Sequence, residues 1–159
     1  MSKKLKRYLI NQQLQREEES DELAQIIERE NSLRQQIDQR TFKEACDIIE
    51  KKYKNMDETP IIVVSSDDWH PGVIGIVASK LVEKYYRPSI MITFKEGIGS
   101  GSGRSIAGFN LFDALVSVEG YLETFGGHKY AAGLQILVEY VDLLENELKK
   151  YVKEHTTED

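Results

Sequence analysis

The chain has 159 residues, 40% hydrophobic and 9% aromatic, which is enough for a buried core and excludes a disordered protein. No apolar run approaches the ~20 residues that cross a bilayer, and a single cysteine, Cys46, excludes an internal disulfide and a cysteine-built zinc site. Net charge is −6, but residues 136–159 hold 3 Lys/Arg against 7 Asp/Glu, so the middle of the chain is near neutral and a small local phosphate site is allowed.

The basic start, Met1 to Arg7, is followed by an apolar stretch (Tyr8-Leu9-Ile10) too short for a signal peptide, so a cytoplasmic location is expected. From Ser20 to about Lys54 there is neither Gly nor Pro. Leu23, Ile26, Ile27, Leu33 and Ile37, then Phe42, Ala45, Ile49 and Tyr53, mark one face of a long amphipathic helix. Ser20 is its expected cap, with a break expected near Gln39–Thr41. Pro60 to Ser65 is β-branched and predicts a buried strand. Asp67 to His70 reads as a turn with Trp69 packed in the core, and Pro71 suits the first position of a helix over Gly72–Tyr85. Pro88–Phe94 predicts a second strand, Asn110–Val118 a helix capped by Asn110, and Leu134–Val138 another strand. Val141–His155 closes the chain as an amphipathic helix. Alternating strands and helices of this kind give an α/β fold class: a small mixed-sheet domain flanked by helices, preceded by a long amphipathic helix.

Two glycine-rich segments carry the chemistry, the first expected as a loop entering a third strand and the second as a loop. Gly97 to Ser105 lacks the Gly-Lys-Ser/Thr end of a P-loop, and its glycines at 97, 99, 101 and 103 do not give G-x-G-x-x-G. What distinguishes it is Ser102-Gly103-Arg104-Ser105, where an always-charged fork donor is flanked by two hydroxyls. The alternative for Arg104 is a structural ion pair. Gly126-Gly127-His128 adds permissive backbone and an imidazole that can donate to an anion. Asp67, Asp68 and His70 lie too close along one turn to converge on a metal ion unaided, so no metal site is expected. A triad of Ser102 or Ser105, His128 and Asp113 has no support in the spacing.

Trp69-His70-Pro71-Gly72-Val73-Ile74-Gly75-Ile76-Val77-Ala78-Ser79-Lys80-Leu81, Arg87-Pro88, Gly101 to Ile106, Gly108-Phe109-Asn110-Leu111, Phe125 to His128 and Ala131-Ala132-Gly133 together resemble the bacterial RecJ family. These are the single-stranded-DNA-specific 5′→3′ exonucleases of the DHH phosphoesterase superfamily. The resemblance runs in order from about Asp68 to Leu134 and covers only the DHH-associated domain and the connector. It implies a connector or appendage over residues 1–58 and a DHH-associated substrate-binding domain over 59–159.

Family members hydrolyse phosphodiesters with a divalent-metal centre, Mn²⁺ or Mg²⁺, built in a preceding DHH domain. This chain has no Asp-His-His. The resemblance therefore implies a fragment that holds single-stranded DNA against a missing catalytic domain, inactive alone and without a cofactor of its own. Ser102, Gly103, Arg104 and Ser105, with Gly126, Gly127 and His128, would contact DNA phosphate. His128 would be catalytic in an auxiliary sense at most. No membrane partner is expected. The alternatives are the associated domain of an oligoribonuclease or cyclic-dinucleotide phosphodiesterase, and a non-catalytic protein-interaction module.

Overall fold

The computed structural model describes residues 2–155; Met1 and the last four residues of the expected 59–159 domain lie outside that range. The chain divides into two units, the residues up to Gln36 and those from Ile37 on. From Lys3 on, the first unit is helix, the leading part of α1 (Lys3–Lys52). Its large apolar residues are exposed, Leu23 and Leu33 at 58% each. Helix α1 starts seventeen residues before the expected Ser20, at Lys3, and runs without a break through Gln39–Thr41. Ser2 is the cap: its Oγ accepts from the Leu5 N–H at 3.1 Å. Lys, Gln, Glu, Arg and Leu dominate residues 3–19 and favour helix without leaving an amphipathic period to read.

The second unit, from Ile37, is built on five strands in the order β1-β2-β3-β5-β4: β1 (Ile62–Ser66), β2 (Ser89–Lys95), β3 (Ile98–Arg104), β4 (Thr124–His128) and β5 (Ala131–Leu137). The β1–β2 pair is parallel, joined by α2 (Ile74–Tyr85), and every other pairing is antiparallel. β2 turns into β3 through Glu96-Gly97, both at positive φ (53° and 82°), as a two-residue hairpin requires. Helices α3 (Leu111–Ser117) and α4 (Val141–His155) complete the unit. Asn110 caps α3 as expected, its Oδ1 accepting from the Asp113 N–H at 3.0 Å. Helix α2 begins two residues later than expected because His70–Val73 forms a turn, with Val73 N–H donating to His70 O.

Each sheet face has its own core. Ile61, Val63, Ile90, Ile92, Leu134 and Ile136 pack against Leu111 and Leu115 of α3 and Leu144, Leu148 and Val152 of α4. On the other face Ile62, Val64 and Met91 pack against Val77, Ala78 and Leu81 of α2, Ala45 and Ile49 of α1, and Trp69. The second core covers β1 and β2 only, so the same face of β3, β5 and β4 carries no apolar layer.

Tyr53 joins the end of α1 to this body. Its hydroxyl donates to Glu145 Oε2 (2.7 Å) and accepts from the Val63 N–H (2.9 Å). Burial, then the bonded Glu145 carboxylate, push its phenol far above the usual tyrosine range. Up to about pH 10 the phenol is neutral folded and unfolded; above that only the unfolded chain ionises, so stability falls as pH rises, by up to ~1.4 kcal/mol per unit. Urea midpoints between pH 9 and 11 should show this decline, and a shallower one in Tyr53→Phe. An equal slope in both proteins would rule Tyr53 out as its source.

Candidate functional site

Both glycine segments expected as loops are strands: Gly97–Ser105 contributes β3, and Gly126-Gly127-His128 ends β4. The physical reason is alternation. Gly99, Gly101 and Gly103 point to the α3/α4 face, where side chains of Ile90, Ile92, Leu134, Ile136 and Leu111 fill the room a Cβ would take. Low strand propensity is offset by these neighbours, which need the space.

The alternate residues, Ser100, Ser102 and Arg104, therefore share the opposite face. The register extends them into rows across three strands: Arg104–Ala131–His128, Ser102–Gly133–Gly126 and Ser100–Gln135–Thr124. At the ~4.8 Å spacing of adjacent strands, the Arg104 and His128 backbones lie about 10 Å apart, within the compass of a phosphodiester and its sugars. None of these nine residues is acidic. Gly126 and Gly133 leave bare backbone at the centre, with no atom within 4 Å of where a Gly126 side chain would begin.

Four of the sequence-predicted residues are thus brought together: Ser102, Arg104, Gly126 and His128. Gly103 and Gly127 fall on the other face. A Cβ at Gly103 would lie 2.8 Å from Leu111 Cδ2, and one at Gly127, where φ is +134°, would lie 2.4 Å from Ala131 O. Ser105 follows the strand and fastens the next loop, its hydroxyl donating to Phe109 O at 2.9 Å. Gly103→Ala should overpack this core and cost ~1–3 kcal/mol in urea unfolding; an unchanged midpoint would mean that Leu111 yields freely.

Arg104 is half-buried and pairs with no carboxylate among the described residues, which disfavours the ion-pair alternative. Its Nη1 donates to Gly103 O at 2.8 Å. The guanidinium lies back along β3, with Nη2 2.7 Å from where a Cβ on Gly75 would stand, in the first turn of α2. That turn has no side-chain cap and no acidic residue, and its first intrahelical bond is Val77 N–H to Val73 O. Two positive features, the helix end and the guanidinium, thus lie close together.

His128 is exposed, and its Nδ1 lies 3.4 Å from the Tyr130 N–H. Asp113 sits on α3 beside Tyr151, on the far side of the sheet from Ser102 and His128, so the triad is not assembled. His70 Nδ1 accepts from the Gly72 N–H at 2.8 Å in the turn already described. Among the described residues no three His, Cys, Asp or Glu side chains gather closely enough to hold a metal ion. Nor is any described helix long and apolar enough to cross a membrane. Gly75 and Gly133 escaped the residue-by-residue reading; the available signal was a glycine in a helix and in a strand where neither needs one for its turn.

Residues 58–154 match the DHHA1 domain family. The chain is 41% identical over 143 residues to the single-stranded-DNA-specific exonuclease RecJ of Bacillus subtilis strain 168, covering 89% of this chain and 18% of that protein. RecJ of Escherichia coli strain K12 is 34% identical over 138 residues, covering 83% of this chain and 24% of that one. The crystal structure of RecJ with Mn²⁺ from Thermus thermophilus superposes at a TM-score of 0.67 and 29% identity, over 78% of this chain and 18% of the other. The chain thus spans less than a quarter of these relatives.

Proposed function

The chain belongs to the DHHA1 domain family, and from that premise we propose that it is the strand-holding part of a RecJ-like 5′→3′ exonuclease acting on single-stranded DNA. The observation that carries this reading is the row set on β3, β5 and β4: a cation without a counter-ion among the described residues, a hydroxyl, bare glycine backbone and an imidazole on one open, acid-free face. Arg104 offers its fork to phosphate oxygens, and Ser102 donates a hydroxyl beside it. Gly126 and Gly133 let the sugar–phosphate chain lie against the sheet, and His128 donates from the far end of the row.

The described residues gather no ligand set that fits the divalent metal of the solved relatives. Its binding falls to a DHH catalytic domain of the same polypeptide, with which residues 59–159 form a cleft in this reading. The exposed apolar residues of α1, Leu23, Ile26, Ile27 and Leu33, suit a connector to that domain. The location is cytoplasmic in the same reading.

The test is a salt titration of labelled single-stranded DNA with the complete polypeptide, wild type against Arg104→Ala. Losing a charged hydrogen bond of ~1.5–3 kcal/mol should weaken binding about ten- to hundredfold. The logarithmic salt slope should fall by about 0.7, the share of one phosphate on a single strand. Equal affinity and slope in the two proteins would sink the reading.

A further inference from the structure

We infer that Gly75 is a positioning residue for Arg104: its missing side chain makes the room in which the guanidinium is held for phosphate. The inference rests on the reading of Arg104 as a phosphate grip and adds a residue from a different element to it.

Gly75 stands in the first turn of α2, half-buried against β3. Its φ is not in the left-handed region, so its backbone is open to any residue, and alanine would favour the helix. What a Cβ there would meet is Arg104 Nη2 at 2.7 Å, Arg104 Cζ at 3.5 Å and Ser102 Oγ at 3.6 Å. The three nearest atoms all belong to the two residues read as the grip. The room left at Gly75 is thus bounded first by those two side chains.

Arg104 needs such a wall. Among the described residues its head makes one hydrogen bond, to its own neighbour Gly103 O. A long side chain with one local bond samples many rotamers, and ordering it on binding costs affinity. The first turn of α2 limits that freedom by contact. A methyl group at position 75 collides with the far end of a flexible side chain, so the arginine yields and the fold does not.

The experiment is a double-mutant cycle in the complete polypeptide: wild type, Gly75→Ala, Arg104→Ala and the double variant, titrated with labelled oligothymidylate over a range of salt. Gly75→Ala should weaken binding by about tenfold and lower the salt slope by about 0.7, as Arg104→Ala does. Its thermal midpoint should be unchanged or higher. KM for the strand should rise, with turnover at saturating strand retained. The double variant should bind no worse than Arg104→Ala, because both changes remove one contact. Wild-type affinity in Gly75→Ala, beside a weakened Arg104→Ala, overturns the inference and leaves the phosphate grip standing. Wild-type affinity in Arg104→Ala overturns the grip itself. Additive losses in the double variant, or a midpoint lowered by several degrees in Gly75→Ala, show that Gly75 acts through something other than Arg104 and overturn the inference alone.

Discussion

Gly127→Ala is expected to lose ~3 kcal/mol or more of folding stability, while Gly126→Ala, one residue earlier, loses little. Both glycines belong to the Gly-Gly-His segment, yet the sheet treats them oppositely. At Gly127 φ is +134°, a region closed to side chains, and a Cβ would lie 2.4 Å from Ala131 O and 2.6 Å from Ala132 Cα. Both obstacles are backbone or rigidly tied to it, so no rotamer change relieves them. Dihedral strain of ~1–3 kcal/mol adds to overpacking of similar size. At Gly126 nothing lies within 4 Å and φ is ordinary, so a methyl group stands in open space on the proposed ligand face. Urea unfolding of both variants should separate them. A Gly126→Ala protein of near wild-type stability that binds single-stranded DNA more weakly would support the site. Equal stability of the two variants would show that β4 relaxes without cost and that the close approach of β4 to β5 is not required.

The same alternation explains what could and could not be read from the residues. β1 and β2 were legible because Ile61 to Val64 and Ile90 to Ile92 are β-branched or apolar runs buried on both faces. Helix α4 was legible to its ends, since Leu144, Leu148 and Val152 repeat at helical spacing. β3 and β4 were not, because glycine signals a loop when read alone. β3 is a strand on account of Ile92, Leu134 and Ile136, which approach from neighbouring strands and occupy its glycines' vacant positions, and β4 is a strand through its antiparallel pairing with β5. The site followed the same rule. Ser102, Arg104, Gly126 and His128 could be named from residue chemistry. That Gly103 and Gly127 turn the other way depends on the register of β3, β5 and β4, a long-range property. Gly75 required knowing that α2 crosses β3 at Ser102 and Arg104.

Lys52→Met should destabilise this chain by ~3 kcal/mol, and Lys52→Met combined with Glu145→Met should recover most of that loss. Glu145 is a buried carboxylate, 4% exposed, reached from α1 by Lys52 Nζ at 2.6 Å and the Tyr53 hydroxyl at 2.7 Å, and from its own helix by Lys149 at 3.4 Å. Lys52 also donates to Val63 O at 2.7 Å, so one ammonium joins α1, β1 and α4. Removing it leaves the buried carboxylate with one hydroxyl and the Lys149 ion pair alone, which costs more than the Lys52 pair contributed. The figure is set at the low end for a buried pair because the Lys52 side chain is 38% exposed and water screens part of the interaction. Removing both charges eliminates the stranded group, and two methionines can fill the space as adaptable apolar side chains. Urea midpoints at constant m-value would measure all three variants. A double variant as unstable as the sum of the singles would mean the pair is not coupled. In that case the end of α1 is held to the sheet by Ala45, Ile49 and Tyr53 packing alone, and the polar network is a consequence of that packing rather than a cause.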